Sequence, residues 1–87
     1  MYIILVYDVG EKRTAKMLKM CRKYLNWIQN SVFEGELSNA RLMSLKMEAE
    51  KIMDKNEDSL IFFSEESCKW LKKEILGKER CSTDIFL

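Results

Sequence analysis

Eighty-seven residues, 47% of them apolar, suffice for one domain around one modest core. Fifteen Lys and Arg against fourteen Asp and Glu leave a net charge of +1, and the absence of histidine removes the commonest general base near neutral pH and the usual zinc and non-heme iron sites. Cys21, Cys68 and Cys81 are too few and too widely spaced for a disulfide framework, and no apolar run is long enough to span a membrane, so a reducing cytoplasm is the expected setting.

The chain opens on Tyr2-Ile3-Ile4-Leu5-Val6-Tyr7, a β-branched and aromatic run bounded by Asp8 and Gly10, which predicts a central strand. Residues 12 to 25 predict a helix. Thr14, Met17, Leu18, Cys21, Tyr24 and Leu25 share one side of it, and Lys12, Lys16, Lys19 and Lys23 form a stripe on the other. Ile28 to Leu37 alternates as a second strand, with Gly35 as a bend. Ser38 or Asn39 can cap a second helix carrying Leu42, Leu45, Ala49, Ile52 and Met53 at spacings of three and four, and Asn56-Glu57-Asp58 ends it. Ser59 to Phe63 and Trp70 to Leu76 predict two further strands around a polar Ser-Glu-Glu-Ser segment that suits one helical turn. A short apolar end, Asp84-Ile85-Phe86-Leu87, follows. With allowance for short elements the order is βαββαβ: an α+β, ferredoxin-like antiparallel sheet with both helices on one face. The other face keeps apolar side chains, which makes it a dimerisation surface, and the last four residues, Asp84 to Leu87, could join a sheet edge of their own or of a partner. The six methionines read as core filler.

Chemistry centres on Asp8, a carboxylate held at the end of a rigid strand. One carboxylate makes a poor Mg²⁺ site, but a two-fold axis beside Asp8 would supply a second. An acid in this place serves equally well to begin a turn or cap a helix. The six cations Lys12, Arg13, Lys16, Lys19, Arg22 and Lys23 have only Glu11 nearby to offset them, a one-sign surface fit either for phosphate or simply for water. There is no glycine-rich phosphate loop and no histidine partner for a cysteine nucleophile, so a hydrolytic reading requires a metal-bound water.

Tyr7-Asp8-Val9, the basic helix with Arg13 and Lys16, Gln29-Asn30-Ser31-Val32-Phe33-Glu34-Gly35, and Asp58-Ser59-Leu60-Ile61-Phe62 occur here in one order, closed by Ile75-Leu76-Gly77 and Asp84-Ile85-Phe86-Leu87. Together they resemble the small CRISPR-associated ferredoxin-like endonuclease family that joins the integrase in the spacer-acquisition complex. The resemblance implies a homodimer with an exchanged C-terminal strand, in which Tyr7, Phe33, Ile85, Phe86 and Leu87 meet the partner. It implies the two Asp8 carboxylates facing each other as ligands of Mg²⁺, or alternatively Mn²⁺, with Ser31 orienting the acid or the metal-bound water. It also implies that Arg13 and Lys16 contact the phosphates of double-stranded DNA, or of RNA in members that act as nucleases; the lysine stripe adds Lys12 and Lys19 as candidates for the same contact. Two positions depart from the pattern. Leu25 stands where a glycine commonly follows the tyrosine near the helix end, and Trp27 stands where a basic arginine is common.

Overall fold

In the computed structural model, which describes residues 1–65 and 71–78, alternation along the first strand sets the architecture. Strand β1 (Tyr2–Asp8) buries Ile3, Leu5 and Tyr7 on one face, keeps Tyr2, Ile4 and Val6 half-buried on the other, and leaves Asp8 exposed. Helix α1 (Glu11–Arg22) follows, then β2 (Asn26–Gln29), β3 (Val32–Glu36), helix α2 (Asn39–Ile52), β4 (Ser59–Glu65) and β5 (Leu71–Gly77). The sheet order is β2-β3-β1-β4-β5 with every pairing antiparallel. Its first four strands follow the ferredoxin-like βαββαβ order, and β5 extends the β4 edge.

Both helices cover the face that carries Ile3, Leu5 and Tyr7. Met17, Met20, Cys21, Leu45 and Ala49 pack there against Phe33, Leu60 and Phe62 in a single core. Complete burial of a side chain such as Phe33 contributes about 2 kcal/mol. Ser38 begins α2 by accepting a hydrogen bond from Arg41 N at 3.2 Å, so of the two capping candidates the serine is the one used. The start of α1 has no side-chain cap.

Four expectations need correction. The run from Ile28 to Leu37 is not one strand: Asn30, at φ 46°, turns the chain between β2 and β3. Asparagine tolerates this left-handed conformation better than most residues. Helix α1 ends at Arg22, so Tyr24 and Leu25 lie beyond it, and Thr14 is exposed while Met20 enters the core. Ser64 and Glu65 extend β4 instead of forming a helical turn. Finally, Met43 and Met47 are exposed on α2, so not all methionines fill the core. Trp70, Cys68, Cys81 and the end from Asp84 to Leu87 lie outside the described residues, as does the expected strand exchange.

Candidate functional site at the end of β1

Asp8 ends β1 on the helix-free face. It follows Ile4 and Val6 in the strand alternation, and its cross-strand partner on β4 is Ser59. The same face carries Val32 on β3, Ile61 and Phe63 on β4, and Ile75 on β5, all half-buried within one chain. The carboxylate thus stands beside an apolar patch of that face, whose far end carries Glu34, Glu36 and Glu65. The β2–β3 turn approaches the same end, where the Ser31 carbonyl accepts a hydrogen bond from Tyr7 N at 3.2 Å. Ser31 is thereby brought beside the strand end that carries Asp8.

Tyr7 and Phe33 take a different place from the one expected. Their rings stack with centroids 6.0 Å apart on the helix-covered face, and Phe33 has no exposed surface left for a partner. They belong to the core of the protomer itself because the parity of β1 points Tyr7 away from Asp8. An interface on the open face would instead be made by Ile4, Val6, Val32, Ile61 and Phe63.

Arg13 also turns inward. Its Nε donates to Asp58 Oδ2 at 2.5 Å and its Nη2 to Asp58 Oδ1 at 3.0 Å, with Glu57 a further partner at 3.1 Å. Asp58 was not a sequence candidate, yet it is fully buried, and the guanidinium holds its carboxyl down at about 2. The positive charge of Arg13 is thus matched where it stands by two acids of the α2–β4 turn. Lys12, Lys16 and Lys19 remain exposed on α1, and no ion pair of theirs is present among the described residues. Lys16, Lys19 and Lys23 line a groove between the helices together with Lys51, where Glu48 is the one acid and is bridged to Lys23 at 2.5 Å. The cationic surface is therefore the outer layer of helices, on the opposite side of the sheet from the open face.

Among the described residues, no group of three His, Cys, Asp or Glu could hold a metal. Cys21 is buried in the core, and desolvation pushes its thiol up to about 12, which leaves it inert as nucleophile or ligand. Asp8 is thus an exposed carboxylate at the end of β1, outside any such group among the described residues of the protomer. No helix among the described residues is long and apolar enough to cross a membrane.

Comparison with known proteins gives a consistent result. The family model described as CRISPR associated protein Cas2 matches residues 1–73. The CRISPR-associated endoribonuclease Cas2 of Thermotoga maritima is 52% identical over 80 residues, covering 92% of each chain. That of Methanosarcina acetivorans is 41% identical over 83 residues, covering 95% of each. A crystal structure of a Cas2 superposes with a TM-score of 0.74 at 36% identity, over 97% of this chain and 94% of the other. Streptococcus pyogenes Cas2 at pH 6.5 gives 0.70 at 30% identity, over 80% and 90%. With a β1 that ends in an outward acid, a ferredoxin-like sheet and these relatives, the chain belongs to the Cas2 family of CRISPR-associated proteins.

Proposed function

We propose that this Cas2-family chain acts as a homodimeric subunit of spacer acquisition, bridging the integrase and holding duplex DNA. The observation that carries the reading is that Asp8 shares the helix-free face with Ile4, Val6, Val32, Ile61 and Phe63. Two such faces pressed together bury apolar surface and bring two copies of Asp8 to one place. The exposed Lys12, Lys16 and Lys19 supply positive charge on the outer helices, where a duplex can lie without disturbing that contact.

A second reading is favoured by the endoribonuclease names of the relatives: cleavage of RNA or double-stranded DNA at the paired acids. Mg²⁺ or Mn²⁺, when bound, would supply an activated water and neutralise phosphate charge. The chain's own part is to hold the ion through Asp8 of each protomer, with Ser31 at the adjacent turn to orient the acid, while the lysines hold the phosphates.

Asp8→Ala separates the two readings. If the subunit is architectural, integration of spacers and duplex affinity are retained within about twofold, as expected for a surface change away from the phosphate contacts. If the chain is a nuclease, metal-dependent cleavage is abolished by the same change. Failure of wild-type protein to bind duplex DNA at low salt would overturn the architectural reading.

A further inference from the structure

The Asp58 carboxylate accepts four hydrogen bonds. Gly10 N lies 2.8 Å and Arg13 Nη2 3.0 Å from Oδ1, while Arg13 Nε lies 2.5 Å and Asp54 N 2.9 Å from Oδ2. A carboxylate has about four lone-pair sites, so none remains for a metal or a substrate. Buried charge that touches nothing reactive is retained for what it holds in place.

What it holds is the chain that leaves Asp8. Gly10 lies two residues beyond that acid, and Asp58 directly precedes Ser59, the cross-strand partner of Asp8. The two acids are therefore linked once through the β-ladder and once through the Asp58–Gly10 bond. Gly10 leaves the room this needs, since a Cβ there would stand 2.5 Å from Arg13 Nη2. The Asp58 carbonyl in turn accepts from Lys78 N at 2.9 Å. Gly77, at φ +89°, passes so close that a Cβ would collide with that carbonyl. The β1–α1 turn, the α2–β4 turn and the end of β5 thus converge on one residue.

We propose that Asp58 is a positioning residue for Asp8: its grip on the Gly10 amide and the Arg13 fork fixes the backbone leaving β1, and with it the place of the acid on the open face. The positioning is a property of this chain alone; its consequence for a shared metal rests on the reading of Asp8 given above.

Amide exchange on the full-length chain tests it. Asp58→Asn should speed exchange at Gly10 about tenfold, the loss expected when a hydrogen bond to a charged group is removed. Sheet amides such as Leu5 and Phe62 should stay protected. Should that variant fail to fold, Arg13→Lys keeps the charge, loses the fork and should speed Gly10 roughly threefold. Unchanged exchange at Gly10, or equal acceleration across the whole sheet, overturns the proposal. A parallel titration with Mn²⁺, followed by electron paramagnetic resonance, includes Asp8→Ala as control. Affinity that depends on Asp8 and falls in Asp58→Asn supports the proposal, and Asp8-dependent affinity indifferent to Asp58 overturns it. If Mn²⁺ binding does not depend on Asp8, the metal reading fails by itself and the exchange result still decides the role of Asp58.

Discussion

Burial and pairing act in opposite directions on Asp58. Desolvation disfavours its charge, but the Arg13 fork and the amides of Asp54 and Gly10 favour it more, and the carboxyl falls from 3.8 to about 2. A folded value below the unfolded one means that the unfolded chain takes up the proton first. The stabilisation is therefore fully present above 3.8 and is lost as pH falls toward about 2. Thermal unfolding followed through that window should show a steep loss for the wild type. Asp58→Asn should be less stable near neutrality and show a shallower loss below about pH 4, because its amide has no proton to gain. Parallel curves for the two proteins would remove Asp58 from the acid transition. Leu25 makes a second case at this scale. It is buried, and its Cδ2 lies 3.1 Å from where a Cβ on Gly35 would stand, so the leucine fills the space above the glycine. Leu25→Ala should cost about 3 kcal/mol in denaturant unfolding through the cavity left there, whereas a cost within experimental error would show that the site collapses around the gap. Asp8 was legible in the sequence because it ends an unmistakable strand. Asp58 was not, because it looks like one more polar residue in Asn56-Glu57-Asp58 and its partner lies 45 positions away.

Elements with strong local signals were read nearly to their ends, and those defined by tertiary pairing were not. The apolar run of β1 and the Ser38 start of α2 are local signals, and the structure keeps both. The β2–β3 hairpin was hidden because Ile28 to Leu37 carries enough apolar residues to pass as one strand. The missed signal is the polar Gln29-Asn30-Ser31 triplet, turn chemistry in the middle of an apolar run. Trp27 contributes to this turn by donating its Nε1 to the Asn30 carbonyl at 2.8 Å, while Arg22 sits over its ring at 5.9 Å. The departure from the arginine common in the family therefore has a structural role in closing the hairpin. At the start of α2, Ser38→Ala removes the acceptor for Arg41 N and should cost about 1 kcal/mol. Ser44→Ala, on an exposed position in the middle of the same helix, should be neutral or slightly stabilising, since alanine is the better helix former. Equal effects from the two changes would show that the cap adds nothing beyond helix propensity.

At the scale of the whole molecule, the sheet separates two surfaces of different chemistry. One is open, with an apolar patch beside Asp8, and the other is the helical layer with its lysines. If the open face is where two copies meet, a charge at its centre should split them: Ile61→Glu lies on β4 between Val6 of β1 and Ile75 of β5. Burying two such carboxylates across a two-fold axis is strongly unfavourable. Sedimentation should then show monomers with an unchanged circular dichroism spectrum, and an unaltered association constant would move the dimer contact elsewhere. Replacing Lys12, Lys16 and Lys19 with glutamate should do the reverse, leaving association intact while duplex binding weakens. Each phosphate contact removed lowers the slope of log affinity against log salt by about 0.9, so the triple change should flatten it by roughly 3. Sites on opposite sides of a rigid sheet act independently, so the changes should add when combined. A duplex titration in which Ile61→Glu alone produced the same flattening would show that DNA lies across both protomers, and that the pairing of open faces builds the binding surface as well as the acid pair.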